Sequence, residues 1–221
     1  MSITIIDNTK PQSPILEWHP KPKFKNTYQR DSYWNEQKKL WIEGLNDIPG
    51  SLVHKTQEQQ IKDRDLGSIF HPICRDVDLL VHQTIQDCRK TGEALVVIKG
   101  RGVGLSSEGG CLANYFMNVF PGTTSLLTSS DKPKIASLFS EKVAVVFDNY
   151  DDEIKPVEVR RNETATSCYL KIEKMYKDEQ GIVRTNTSQI ICRETSDSES
   201  SASAFSGQGA MYGFYDELFL N

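Results

Sequence analysis

The 221-residue chain is 38% hydrophobic and carries 26 basic against 30 acidic side chains, a net charge of −4. That length supports one substantial core with an N-terminal extension. The charge balance excludes a general polyanion-binding surface, so any contact with DNA must be local.

No apolar run approaches the roughly 20 residues that span a bilayer, and Met1 to Gln12 lacks a basic flank followed by a hydrophobic segment. Membrane insertion and secretion are therefore disfavoured, and the sequons at Asn162 and Asn186 read as chance matches. Cys74, Cys88, Cys111, Cys168 and Cys192 are odd in number, widely spaced and without a C-x-x-C pair, as expected of reduced thiols. His19, His54, His71 and His82 are too scattered to suggest a metal cluster.

Residues 1–30 form a proline-rich basic arm, with Pro11, Pro14, Pro20 and Pro22 among Lys21, Lys23 and Lys25. This composition favours an extended segment, either a solvated tail or a contact for nucleic acid. Residues 31–92 read as a helical region. Tyr33, Trp34, Leu40, Trp41 and Leu45 recur at helical spacing until Pro49-Gly50. From about Asp76, Val77, Leu80, Val81, Thr84, Ile85 and Cys88 share a second helical face that Thr91-Gly92 ends.

Residues 93–221 read as an α/β layer. The β-branched run Ala94 to Ile98 predicts a strand buried on both faces of a parallel sheet. A glycine-rich turn follows, then a helix continuing through Leu112 to Phe120, a strand over Thr123 to Thr128 and a helix over Asp131 to Asn149. Ser167 to Met175 and Gln189 to Cys192 are β-like, Thr195 to Gly209 reads as a loop, and Met211 to Tyr215 is an apolar run that meets Asp216-Glu217. Gly213 departs from the bulky pattern of a core strand.

Two motifs carry chemistry. In Lys99-Gly100-Arg101-Gly102-Val103-Gly104-Leu105-Ser106-Ser107, a strand-to-helix turn has the glycines that let backbone N–H groups close on a phosphate. Ser106 stands where a P-loop hydroxyl binds magnesium, Leu105 replaces the usual lysine, and Lys99 or Arg101 is left to offset phosphate charge, with Lys99 preferred. In the second motif, Asp216 would hold magnesium and Glu217 would polarise the attacking water. Taken singly, the first is also a ligand-free glycine turn and the second an acidic helix start.

Together the motifs closely resemble those of tailed-phage large terminase subunits, whose deviant Walker A carries its lysine early in the loop. Asp216 to Leu220 looks like the Walker B segment, and Trp41 to Gly44 through Ile48 to Gly50 resembles the N-terminal region. The resemblance runs from about Trp34 to Asn221 and is loose between Asp151 and Arg184.

It implies a three-layer P-loop NTPase fold with a mainly parallel sheet, ending after the Walker B strand and without the family's nuclease domain. It also implies ATP and magnesium as ligands, and Lys99 and Glu217 as catalytic residues. The expected work is packaging double-stranded DNA into a capsid as a homo-oligomeric ring with the small terminase subunit and the portal. Its place would be the host cytoplasm, transiently at the procapsid portal. The family's arginine finger has Arg101, Arg160, Arg161 and Arg193 as candidates, and its adenine-contacting glutamine has Gln57, Gln59 and Gln60. The rival readings are a helicase-type ATPase, which would normally keep lysine at the position of Leu105, and a non-catalytic nucleotide- or DNA-binding module.

Overall fold

The computed structural model describes residues 59–63, 66–72, 75–97, 102–129, 132–150, 152, 155–164, 167–194 and 210–216. The basic arm, the Tyr33 to Leu45 helix and the Thr195 to Gly209 loop lie outside the described residues.

A two-strand ladder opens the described chain, β1 (Ile61–Lys62) antiparallel to β2 (Ile69–Phe70). It falls inside the stretch expected to be helical. Asp63 explains the turn, because its carboxylate accepts the Leu66 N–H at 2.6 Å and its N–H donates to the Ser68 carbonyl at 2.8 Å. Helix α1 (Asp76–Thr91) begins and ends where the sequence predicts, with the Gly92 N–H closing on the Cys88 carbonyl at 2.7 Å. Its buried face overlaps the expected one at Val81 and at Ile85, which packs against the core, but is rotated toward the polar side. Leu80 is exposed, while Asp78, His82 and Gln86 are buried beside Val81.

The Ala94 to Ile98 strand is not formed over its described part. Ala94 to Val97 belongs to no sheet, and Val96 and Val97 are 62% and 43% exposed. The apolar β-branched run is present, but no neighbouring strand among the described residues satisfies its backbone, and a strand needs both. Ile98 lies outside the described residues.

Helix α2 (Leu105–Val119) follows the glycine turn, then strand β3 (Thr124–Ser129). The predicted second helix is continuous in space but changes pitch: α3 (Lys132–Leu138) passes through a π-helical stretch, Phe139–Ala144, into α4 (Val145–Asp148). Three long strands come next, β4 (Val157–Thr164), β5 (Ser167–Lys177) and β6 (Val183–Glu194), and β7 (Ala210–Tyr215) is last. β4 went unpredicted because its residues are mostly exposed and all but Val157 and Val159 are polar.

The five strands form one mixed sheet in the order β4-β5-β6-β3-β7. β3 runs parallel to β6 and β7, whereas β4, β5 and β6 pair antiparallel. The chain is thus α/β, but the sheet is half antiparallel rather than mainly parallel, because β4, β5 and β6 follow one another through short connections instead of helical crossovers.

Register puts Phe214, Leu127, Cys192 and Cys168 in one row across the sheet, and Tyr212, Ser125, Ile190 and Leu170 in the next. These residues alternate along each strand and so share one face, and all but Ser125 belong to or pack against the core cluster with Phe116, Met117, Phe139 and Phe147. Cys88, Cys111, Cys168 and Cys192 are free thiols, and burial pushes the Cys192 thiol well up.

Helix α2 is buried almost throughout, from Glu108 to Val119, and two glycines admit its neighbours. A Cβ on Gly109 would stand 2.8 Å from the Phe214 ring, and one on Gly110 would collide with the Lys142 carbonyl oxygen in the π-helical stretch. Asn114 spans the same junction, donating to the Gly110 and Val143 carbonyls at 3.0 and 3.2 Å.

Alanine favours an isolated helix over glycine by about 1 kcal/mol, so a net loss from Gly110→Ala is diagnostic of the close approach. Urea denaturation of Gly110→Ala is expected to show a loss of about 1–3 kcal/mol, the usual cost of overpacking. A gain in stability would mean that α2 and the π-helical stretch are farther apart than described.

A second test concerns the far side of the core, where Arg161 of β4 holds Asp148 through two bonds of 2.5 and 2.8 Å and also reaches Glu158 at 2.7 Å. The bond from Arg161 holds the Asp148 carboxyl below its usual range against the opposing effect of partial burial. A carboxylate with a depressed folded pKa contributes stability above its unfolded pKa and loses it as pH falls through the folded value. The Tm difference between wild type and Arg161→Met should therefore shrink as pH is lowered from about 6 to about 3. A difference that stays constant over that window would remove the ion pair from the account of acid stability.

Candidate functional site

Gly102 and Gly104 adopt φ of 82° and 81°, left-handed backbone that residues with a Cβ rarely take. Gly104 is the N-cap of α2, and its carbonyl accepts the Glu108 N–H at 3.0 Å to start the helix. The turn therefore delivers the chain abruptly into α2, with Leu105 buried as the first helical residue and Ser106 and Ser107 half-buried at the helix start. A helix start of this kind presents uncommitted N–H groups and the positive end of the helix dipole to an anion.

On the strand side, β7 brings Asp216 to the same point. The Asp216 N–H donates to the Thr128 carbonyl at 2.9 Å, extending the β3 pairing one residue past Tyr215. The Ser106 hydroxyl donates to Asp216 Oδ2 at 2.9 Å across 110 positions of sequence. A hydroxyl and a carboxylate are hard oxygen donors, the type that magnesium takes together with phosphate oxygens and water. The two fit that ion, and with Ser106 on a helix start they would hold it beside an anion. No cluster of three or more His, Cys, Asp and Glu side chains able to hold a metal exists among the described residues.

Of the predicted site, the structure brings Gly102, Val103, Gly104, Leu105, Ser106 and Ser107 together with Asp216, while Lys99, Gly100, Arg101 and Glu217 lie outside the described residues. Among the arginine candidates, Arg161 is engaged by Asp148, Glu158 and Glu163, and Arg160 lies over the Tyr169 ring at 5.6 Å. Arg193 pairs in register with Thr128, which itself pairs with Tyr215, so it sits on the strand ends that carry Asp216. Gln59 is buried and donates to the Cys111 carbonyl and the Tyr150 hydroxyl, both at 2.8 Å, which commits it to packing against α2. Gln57 lies outside the described residues.

Several polar residues at the back of the turn were not singled out from sequence. Arg75, the N-cap of α1, donates Nη1 to the Val103 carbonyl at 2.9 Å. Its Nε and Nη2 fork the Asp78 carboxylate at 3.1 and 2.8 Å, and Asp78 also accepts the Arg75 backbone N–H at 3.0 Å. One turn on, His82 Nε2 meets Glu108 Oε1 at 2.5 Å, both side chains only 2% exposed. Tyr212 of β7 is half-buried and packs against the core, its phenol pushed up first by desolvation and then by Glu108 and Cys111. The available signal was spacing: positions 75, 78, 82 and 86 fall on one helical stripe that is polar throughout.

No helix among the described residues is long and apolar enough to cross a membrane. No protein-family model matches the chain, and no curated protein matches it either.

Proposed function

We propose that this chain is the ATP-binding and hydrolysing motor part of a phage terminase large subunit, which drives double-stranded DNA into a capsid. The observation that carries the reading is the 2.9 Å contact between Ser106 and Asp216. Two motifs from distant segments of the sequence, one read as a phosphate loop and one as a magnesium carboxylate, come together here through Ser106 at a helix start and Asp216 at a strand end. The DNA, the portal, the small subunit and the ring of like subunits enter through the resemblance of these motifs to that family.

In the proposed mechanism the N–H groups of Gly100 to Ser107 cradle the phosphates, and Lys99 offsets charge on the β- and γ-phosphates. Ser106 and Asp216 would hold magnesium, which supplies further charge neutralisation on the phosphate oxygens. Glu217 accepts a proton from water as the water oxygen bonds to the γ-phosphorus. The bond from that phosphorus to the β–γ bridging oxygen breaks, leaving ADP and inorganic phosphate.

A second reading, a module that binds nucleotide without turning it over, is favoured by the mostly exposed Ala94 to Val97 segment that leads into the loop and pairs with no strand among the described residues. A phosphate loop whose entry is not anchored in a sheet lacks the pre-organisation that catalysis requires.

The deciding measurement is equilibrium binding of magnesium-ATP to wild type, Lys99→Ala and Asp216→Ala. Magnesium-dependent binding is expected, weakened at least about tenfold in each variant, which is about 1.4 kcal/mol. No binding by a folded wild-type chain would sink the proposal, and so would binding that both variants retain. Glu217→Gln then separates the two readings. It should leave affinity unchanged and lower the hydrolysis rate by about 10²–10⁴, the usual share of a general base. A binding chain with no turnover to lose would establish the second reading.

A further inference from the structure

Helix α1 buries a stripe that is polar where an amphipathic helix would be apolar. Asp78 is fully buried and His82 and Gln86 nearly so, while Leu80 on the same helix is exposed. Burying polar groups costs free energy unless partners are supplied, and two groups on the stripe are supplied with partners from a single place. Arg75 bonds to the Val103 carbonyl inside the glycine turn, and His82 bonds to Glu108 in the first turns of α2. The two contacts bracket Gly104, at which a Cβ would stand 3.3 Å from Arg75 Nη2.

We infer that α1 is a brace for the phosphate loop and that Arg75 is its positioning residue. The guanidinium is fixed by the Asp78 carboxylate on one side and grips the Val103 carbonyl on the other. That grip aims the carbonyl at α1, away from the anion side of the turn, and holds the left-handed Gly102 and Gly104 in place. A planar fork can serve both partners at once, and a lysine ammonium at that position cannot reproduce the geometry. His82 and Glu108 form the second point of the brace, so that the loop and the helix start move with α1 as one body.

The affinity arm of the test rests on the nucleotide reading, whereas the exchange arm does not. Amide hydrogen exchange on the nucleotide-free chain should show faster exchange at residues 103–108 in Arg75→Ala and in the milder Arg75→Lys, with protection in β3, β5 and β6 unchanged. Equal rates at residues 103–108 in wild type and both variants would overturn the brace whether or not the chain binds nucleotide.

If wild type binds magnesium-ATP, Arg75→Ala should bind at least about tenfold more weakly, about 1.4 kcal/mol. Guanidinium ion at non-denaturing concentration should restore much of the loss, and ammonium at the same concentration should not. A merely structural site would give no such selective rescue. Equal rescue by both cations, or unchanged affinity in a binding-competent protein, would reduce Arg75 to a surface ion-pair residue.

Discussion

The candidate site depends on a steric constraint, the close approach of α2 to its neighbours at Gly109 and Gly110. With hydrogen in place of Cβ, the Phe214 ring lies directly on the helix backbone at Gly109, and the Lys142 carbonyl lies against it at Gly110, the next residue around the helix. Because Phe214 stands two residues before Asp216 on β7, and Gly109 three after Ser106 on α2, the contact sets the distance between the helix start and the strand end. The Ser106–Asp216 bond follows from this packing, and the bond alone is too weak to create it. A net contribution of about 1 kcal/mol is the usual worth of such a bond, far less than burial of the aromatic and aliphatic side chains around α2 supplies.

The sheet divides its labour along the same line. Its parallel part, β6, β3 and β7, carries its strand ends toward the α2 start, the arrangement in which open α/β sheets place ligands. The antiparallel part carries none of the predicted phosphate or magnesium residues, only the arginine candidates Arg160 and Arg161 on β4, and anchors the far end of α2. Lys174 of β5 is buried and donates to the Asn118 carbonyl, satisfying one of the carbonyls that the last turn of the helix leaves without an intrahelical partner. The helix is thus held by a hydrogen bond from Lys174 at its C-terminal end and by Arg75 and His82 near its N-terminal end.

What the sequence made legible follows the strength of the apolar pattern. β3, β7 and α2 are short apolar runs whose period and flanking turns leave little choice, and each formed within a few residues of its expected place. Gly213 did not prevent β7, because its neighbours Tyr212 and Phe214 point to the core face. β4 was invisible because a strand at the sheet edge with one partner needs few apolar residues. Ala94 to Val97 failed for the opposite reason, since an apolar run states a preference for burial and cannot specify a partner strand. The site was legible where it depends on glycine, serine and aspartate at fixed spacing. It was not legible at Arg75 and His82, whose roles come from a helix packed against a turn about 26 to 28 positions away, a distance no local pattern encodes.

The polar stripe of α1 also explains why an amphipathic helix can keep Val81 and Ile85 inward and yet rotate so that polar residues share the buried face. A buried apolar face would have bound α2 more strongly, because replacing buried ionic groups by packed hydrophobic ones is often neutral or stabilising. Apolar contacts, however, are non-directional and tolerate sliding, whereas the Arg75 fork and the short His82–Glu108 contact are satisfied in one alignment of α1 with the glycine turn. A loop of left-handed glycines has little conformational preference of its own. Its geometry must therefore come from outside, and a directional polar contact supplies it where a larger apolar surface would leave the turn free to shift.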